Sequence, residues 1–398
     1  YPMNIVSRIL PAALMVLVVA PVAALGTFSI ATTHQNPVVA LQAWSGNGFA
    51  DQQIANALYV AATVKNPTAA LESHVTPRQR ELALKAYIRE PLSPEAVSIL
   101  GLGEVRYGKE ELAAKLLDKS GELSRRNQIA RSWLIAKASQ RGDLKTVLEN
   151  IDISLRIRPA SAPAAAQVLA QAMAQPGSVP SFVSFFRTNP SWEDAVWQAA
   201  NSNPKAVANA VRVRMQLQRT GEDALAIDRE LLTSLIRLRE FELADAFVRS
   251  RYGSQKALLR NGDFAAEPLL PPFDWELETQ GDYGAFVDTK SGTLAISALP
   301  GAQGIVARQL VVLKPGRYTM TARYARGAQS GNLRLMLSCA LPNINRSLAI
   351  SPEQISDSQR FEVGADCPYF WASIELLGRA TGSGFDTSLD SFEITPAS

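Results

Sequence analysis

The stretch RNGDFAAEPLLPPFDWELET, residues 260–279, separates two parts of the sequence that differ in periodicity. Before it, apolar residues recur at helical spacing. After it, short segments alternate apolar and polar residues, which is the period of a β-strand. Its three prolines and the turn-forming pair Asn261-Gly262 prevent a helix from continuing through it. The sequence therefore predicts a multidomain protein, α-helical first and β after, with a boundary between residues 258 and 259.

Residues 34–258 are predicted to form stacked helix pairs. Ser93-Pro94-Glu95 starts a helix, and Val97, Leu100 and Val105 continue it as an apolar stripe. Gly108 and Gly142 mark inter-helix turns that are 34 residues apart, the period of the tetratricopeptide repeat. One helix pair cannot bury its own apolar side, so stacked pairs form a solenoid whose concave surface suits protein partners. A non-repetitive helical bundle is the alternative.

The N-terminal residues predict a compartment. Ile9 to Leu25 are 17 uninterrupted apolar residues, and the apolar character extends to Ala31, close to the ~20 residues that a transmembrane helix needs. Arg8 is the charge on the N-terminal side, which places that side in the cytoplasm. We therefore expect a single transmembrane anchor over residues 1–33, with the remaining chain outside the cytoplasmic membrane. The alternative is a secretory signal cleaved near Val22-Ala23-Ala24.

Residues 259–398 predict about eight antiparallel strands in a β-sandwich. In RYTMTARYA, residues 317–325, the alternation places Tyr318, Met320 and Ala322 on one face. The two cysteines, Cys339 and Cys367, both lie in this part, which suits one disulfide in an oxidising compartment. Two unrelated buried thiols are the alternative.

Three motifs of this part resemble the jelly-roll of galactose-binding-like carbohydrate-binding modules. They are Asn261-Gly262-Asp263-Phe264, the Pro315-Gly316 turn, and LDSFEI at residues 389–394. The resemblance implies that the first motif opens the first strand and that an aromatic residue a dozen positions later packs under the sheet, a role that Phe273 and Trp275 fit. It also implies exposed aromatic side chains that stack on sugars. The candidates are Tyr283, Tyr369 and Trp371.

Members of that family often hold a structural calcium ion between the first and last strands. Asp263 and Asp390 are the matching carboxylates, with Asp282 or Asp288 as a further ligand. Calcium takes six to eight oxygen ligands, and the alternative is that these carboxylates cap turns or face solvent. No other cofactor is expected.

The whole order of the chain also resembles bacterial tetratricopeptide-type envelope proteins associated with exopolysaccharide or capsule production. The resemblance lies in PLSPEAVSILGL at 91–102, LSRRNQIARSWL at 123–134, and a cysteine-containing sandwich. It implies a single-pass protein of the bacterial inner membrane, with a cytoplasmic N-terminus and the bulk of the chain periplasmic. It also implies a part in an envelope polysaccharide synthesis or export system.

Several kinds of chemistry are not expected. His34 and His74 are the only histidines and lie far in sequence from any nucleophile, which disfavours a Ser-His-Asp triad or a histidine zinc site. The net charge is +3 with the basic residues scattered along the helices, so no nucleic-acid partner is expected.

We predict a non-enzymatic periplasmic scaffold whose helices bind protein partners and whose sandwich binds glycan or docks to a subunit. One alternative is an accessory subunit that stabilises another membrane complex without binding glycan. Another is a carbohydrate-active hydrolase, which needs two facing carboxylates.

Overall fold

The structure is a computed structural model. It describes residues 5–65, 75–217, 219–253, 257–279, 281–325, 333–342, 344, 347–350, 356–377 and 384–397. The chain forms two compact units, Tyr1–Ala165 and Ala166–Ser398. The change from helix to strand near residue 259 therefore falls inside the second unit. The predicted boundaries at residues 33 and 258 follow the change in secondary structure and stay a prediction.

The first unit is helical, and short turns join its helices from Pro77 onward. Pro77, Glu110 and Leu144 open α4, α6 and α8, at intervals of 33 and 34 residues. The predicted turn residues Gly108 and Gly142 both have φ +70°, a conformation that glycine adopts without strain. A tetratricopeptide-like solenoid stays a prediction. The helices are α1 (Ile5–Thr32), α2 (Pro37–Ala43), α3 (Gly48–Lys65), α4 (Pro77–Arg89), α5 (Pro94–Arg106), α6 (Glu110–Leu123), α7 (Gln128–Gln140) and α8 (Leu144–Ile157).

Side-chain caps fix where several of these helices begin. Thr76, Ser93, Asn127 and Asp143 each accept a hydrogen bond from the backbone N–H three residues later, at the starts of α4, α5, α7 and α8. Such caps satisfy backbone donors that have no partner inside the helix. The sequence signal at Ser93-Pro94 is thereby confirmed as a helix start.

The transmembrane anchor predicted over residues 1–33 is not supported by the structure, and its residues 1–4 lie outside the described ones. Across the part of the chain that the structure describes, none of the helices combines the length and the apolar character needed to cross a membrane. Polar contacts hold the C-terminal end of α1. Asn47 Nδ2 donates to Ser29 Oγ and to Thr33 Oγ1, both at 2.8 Å, and Ser29 Oγ donates to the carbonyl of Ala40.

The second unit begins with further helices, α9 starting just before its boundary. Their core is aromatic: the ring centroids of Phe186 and Trp197 are 5.0 Å apart, and Trp192 is also buried. These helices are α9 (Ala162–Met173), α10 (Val179–Phe186), α11 (Glu193–Asn201), α12 (Pro204–Gln216), α13 (Glu222–Arg237) and α14 (Phe241–Tyr252), and a 3₁₀ turn at Pro159–Ser161 precedes them.

Two antiparallel sheets then form a sandwich, which confirms the predicted helix-then-strand order and the β-sandwich. One sheet has the order β1-β4-β9-β6-β7 and the other β2-β3-β10-β5-β8. The core between them is apolar. The strands are β1 (Glu276–Leu277), β2 (Tyr283–Asp288), β3 (Thr293–Ala298), β4 (Gly304–Val312), β5 (Gly316–Tyr324), β6 (Leu333–Cys339), β7 (Ser347–Ile350), β8 (Ser356–Val363), β9 (Tyr369–Leu376) and β10 (Phe385–Pro396).

The Asn261–Phe264 motif is a turn and not the start of a strand, which corrects the expectation from the family resemblance. Asn261 and Phe264 have φ +48° and +52°, values incompatible with extended backbone. The N–H of Phe392 in β10 donates to the carbonyl of Gly262 at 2.8 Å. A Cβ at Gly262 would lie 2.5 Å from the carbonyl oxygen of Phe392, so only glycine allows this approach.

Aromatic packing and a disulfide complete the sandwich. The Trp275 ring lies between those of Phe264 and Phe392, with centroids 5.6 and 5.9 Å away, and Trp275 is fully buried as predicted. Cys339, at the end of β6, is bonded to Cys367, just before β9, with their Cα atoms 6.1 Å apart. The predicted disulfide is confirmed.

Candidate ligand-binding face

The outer face of the β1-β4-β9-β6-β7 sheet carries a row of polar side chains. Glu276 is directly opposite Arg308, Arg308 is opposite Ser373, and Ser373 is opposite Met336. Residues opposite each other in an antiparallel sheet point to the same side. The intervening residues of β9 belong to the sandwich core, so this row points outward.

Trp371 lies on the same side, two residues before Ser373 in β9. The guanidinium carbon of Arg308 is 4.9 Å from the centroid of the Trp371 ring, within the range of a cation–π interaction. Arg308 Nε also pairs with Glu276 Oε2 at 2.5 Å. The side chains of Arg308 and Glu276 remain 44% and 45% exposed, so both charges are accessible to a ligand.

A second ion pair lies further along the same face. Arg334 in β6 is opposite Glu375 in β9, and Arg334 Nη2 is 2.5 Å from Glu375 Oε2. Glu375 is four residues beyond Trp371, a distance of about 13 Å along a strand. We name Glu276, Arg308, Arg334, Trp371 and Glu375 the platform. Its two cations and two anions cancel, so the platform has no net charge.

These groups suit a neutral ligand that is rich in hydroxyl groups. Arginine offers only donors and an ionised carboxylate only acceptors, whereas a hydroxyl is both. Each Arg–Glu pair can therefore bind hydroxyls at both of its ends. The indole ring supplies an apolar surface beside them. Such half-exposed pairs contribute only about 0–1 kcal/mol to folding, which leaves them free to exchange partners.

Tyr283 lies beside the platform at the sandwich edge. It lines a cavity of about 420 Å³ together with Glu276 and Arg308 of the platform. A Cβ at Gly304, whose φ is +148°, would lie 2.1 Å from the Tyr283 hydroxyl. The glycine therefore makes room for this ring. Two of the three predicted sugar-stacking residues, Tyr283 and Trp371, thus flank the same arginine. The remaining lining residues are Leu277, Glu278 and Ile305.

Tyr369 has a different environment. Its ring is 5.4 Å from that of Phe241, the first residue of α14, so a helix covers part of it. Burial raises the pKa of the Tyr369 hydroxyl, and the nearby carboxylates of Asp245 and Glu242 raise it further. The structure therefore places Tyr369 in the contact between α14 and the sheet, apart from the platform.

The four predicted calcium ligands are spread over four places. Asp263 lines a cavity next to β10, Asp390 is exposed in β10, and Asp282 lines a separate cavity beside β2. Asp288 caps a turn, where hydrogen bonds from Ser291 and Lys290 lower its pKa. In the described ranges, no group of three or more His, Cys, Asp or Glu side chains could hold a metal ion. A calcium site stays a prediction.

The four charged residues of the platform were not predicted as site residues. Their signal is present in the sequence, because Arg308, Arg334 and Glu375 interrupt otherwise apolar strands at outward positions. What the sequence lacks is the order of the strands in the sheet. Only the pairing of β1 with β4 and of β6 with β9 turns separate charges into ion pairs.

Comparisons with known proteins are limited to weak structural likeness. No protein family matches the sequence, and no curated protein matches it either. The C-terminal sandwich is weakly similar to carbohydrate-binding modules. One is TmCBM61 in complex with β-1,4-galactotriose, with 14% identity over 36% of this chain and 100% of that chain, and a TM-score of 0.26. Another is titled "CBM4 structure and function", with 16% identity, coverage of 35% and 99%, and a TM-score of 0.25. With identities and scores this low, neither likeness assigns a function to this chain.

Proposed function

We propose that this protein is a non-enzymatic binding protein whose sandwich takes a neutral carbohydrate on the platform. The observation that supports the proposal is the geometry of the platform itself. An indole ring lies against one Arg–Glu pair, with a second Arg–Glu pair further along the same face, and both pairs are partly exposed and electrically balanced. An anionic ligand would meet as many carboxylates as guanidinium groups and would gain little from this surface. A neutral polyol can use both kinds of group.

Sugar binding at Trp371 requires Arg308 to move away from the indole ring. Because the Arg308 guanidinium lies over the indole ring, a sugar that stacks on the ring must displace it. Arg308 keeps its partner Glu276 on the outer side, so it can swing toward that carboxylate without losing its ion pair. The cavity beside Tyr283 accommodates this movement, since Arg308 lines it.

We further propose that the chain works in an oxidising compartment, with the helices as a scaffold for protein partners. The disulfide supports the first part, because such bonds persist mainly outside the reducing cytosol. Consecutive helix pairs at 33–34-residue intervals support the second. A periplasmic location and a part in envelope polysaccharide synthesis or export, which the sequence resemblance implies, stay predictions.

Affinity electrophoresis of the full chain in gels that contain soluble neutral or acidic polysaccharides tests the proposal. The panel is β-glucan, galactan and polygalacturonate. We expect at least one neutral polysaccharide to retard the protein, and Trp371→Ala to weaken that binding about tenfold or more, a loss of about 1.4 kcal/mol. The matched control is Trp44→Ala, a partly exposed tryptophan of the first unit.

Two outcomes would count against glycan binding. One is retardation by polygalacturonate alone. The other is a Trp371→Ala variant that migrates like the unmodified protein in every gel. The alternative function is an accessory subunit without glycan contact. The packing of Phe241 from α14 against Tyr369 favours it, because a helix of the protein already packs on this face of the sheet. An absence of binding to the whole panel would support that alternative.

A further inference from the structure

The α7–α8 hairpin concentrates positive charge at one end. Residues 124–158 contain eight Lys or Arg and three Asp or Glu, a net charge of +5, whereas the whole chain has only +3. The two helices are 13 and 14 residues long, so each spans about 20 Å, and a three-residue turn joins them. The start of α7 and the end of α8 therefore lie side by side. We name the five arginines there the arginine end: Arg125, Arg126, Arg131, Arg156 and Arg158.

The arginine end is ordered by its own contacts. Arg131 Nη1 donates to Asn150 Oδ1 of α8 at 2.6 Å, and Arg131 Nε donates to the carbonyl of Arg125 at 3.1 Å. These bonds tie the start of α7 to α8 and to the preceding turn. Arg156 pairs with Asp152 at 2.8 Å and still remains 68% exposed. The side chains of Arg125, Arg126 and Arg158 are exposed as well.

The charge comes from side chains and not from the helix backbones. The N-terminus of α7 contributes a partial positive charge, but the C-terminus of α8 beside it contributes a partial negative charge, and the two largely cancel. Burial and the nearby Arg125 both lower the pKa of Arg131, a sign that the cations here are close together.

All five cations of this end are arginines, and none is a lysine. Attraction to an anionic membrane surface depends on charge and does not distinguish arginine from lysine. The planar guanidinium matches a carboxylate, and equally a phosphate, with two parallel hydrogen bonds, and arginine is enriched in protein interfaces where lysine is depleted. Ile157, which is 37% exposed between Arg156 and Arg158, adds an apolar contact of the kind that protein partners use.

We propose that the arginine end is a docking surface for a protein partner that presents a cluster of Asp or Glu carboxylates beside an apolar residue. This surface belongs to the first unit and is independent of the platform. Its failure would leave the carbohydrate proposal intact.

The probe is a fluorescein-labelled sixteen-residue peptide of Glu and Leu, measured by fluorescence anisotropy against the full chain. Arg156→Ser with Arg158→Ser should weaken binding about tenfold, because two bidentate sites are lost. Arg156→Lys with Arg158→Lys keeps the charge but removes the planar guanidinium groups that bind a carboxylate with two hydrogen bonds. This variant should weaken binding about fivefold. The matched control, Arg141→Ser with Lys145→Ser, removes the same charge at the turn end of the hairpin and should change binding less than twofold.

The same variants are measured with polyphosphate and with phosphatidylglycerol vesicles. We expect the vesicles to bind the lysine variant like the unmodified chain. Polyphosphate, which arginine also binds with two hydrogen bonds, should bind the unmodified chain more weakly than the peptide does, because it makes no apolar contact with Ile157. The proposal is overturned if the peptide does not bind, if the control variant loses as much affinity as the serine variant, or if the lysine variant keeps full peptide affinity. Because the lysine variant alters only exposed positions and retains charge, its thermal unfolding should match that of the unmodified chain.

Discussion

The helices of the second unit and the sandwich place their charges in opposite ways. In the helices, Asp228 of α13 is fully buried and accepts hydrogen bonds from Arg214 of α12 at 2.6 Å and from Arg251 and Tyr252 of α14. In the sandwich, the Arg–Glu pairs lie partly exposed on an outer face over an apolar core. Buried charges hold three helices in register, whereas the exposed pairs remain accessible to a ligand.

The stabilising elements of the two regions also differ. The helices use a network of ions and hydrogen bonds, which is strong only while every member is present. The sandwich uses apolar packing and the Cys339–Cys367 disulfide. The comparison therefore predicts that single polar substitutions damage the helices most, and that the sandwich responds mainly to loss of its covalent link.

The largest effect is expected for Asp228→Ala. Removing this carboxylate leaves Arg214, which is 1% exposed, as an uncompensated buried cation, and should lower the free energy of unfolding by about 3–5 kcal/mol. Urea unfolding followed by circular dichroism measures this. Asp223→Ala, at an exposed position in the first turn of the same helix, is the control and should cost less than about 1 kcal/mol. Equal losses for the two variants would show that the network does not hold the helices together.

The next effect is expected for Cys339→Ser combined with Cys367→Ser. The bond joins residues that are 28 positions apart, and its loss should destabilise the sandwich by about 3–4 kcal/mol on the chain-entropy account. Urea unfolding of the double variant under oxidising conditions should match that of the unmodified chain under reducing conditions. A double variant as stable as the oxidised chain would show that apolar packing alone maintains the sandwich.

The smallest effect on the free energy of unfolding is expected at Tyr252 and Tyr324, whose hydroxyl pKa values are both raised to about 12. Burial is the main cause for both, and Tyr252 also donates to Asp228 at 2.7 Å. Within the described residues, the buried Tyr324 hydroxyl of the sandwich has no hydrogen-bond partner. Tyr252→Phe should therefore cost about 1 kcal/mol at neutral pH, whereas Tyr324→Phe should be neutral or slightly stabilising.

The same pair predicts the alkaline behaviour of the protein. Each folded-state pKa lies above the unfolded value of 10, so the folded chain retains protons that the unfolded chain releases. The stability that these groups contribute is complete below pH 10 and is lost as the pH rises from 10 to 12. Unfolding curves at pH 8, 10 and 11 should show a smaller decline for either phenylalanine variant. An unchanged decline in both would mean that other groups control alkaline unfolding.

The sequence predicted elements better than the contacts between them. The strand that contains Tyr318, Met320 and Ala322 was predicted from simple alternation, because the side-chain period of a strand is local. The turn glycines at 108 and 142 were also predicted. In the first thirty-three residues, apolar composition alone did not show that Asn47, from beyond the helix, donates hydrogen bonds to Ser29 and Thr33. The Asn261–Phe264 motif was misread for a similar reason, because its partner Phe392 is 130 residues away.

By itself, the sequence determined the order of helix before strand, the alternation of faces in strands such as β5, and the restriction of both cysteines to the sandwich. These follow from periodicity and composition, which act over a few residues. Tertiary structure alone decided that Tyr369 packs under α14, that Trp371 shares a sheet face with two neutral ion pairs, and that five arginines meet at one end of a hairpin. Each of these depends on which distant segments become neighbours, and that is set by the packing of the whole chain.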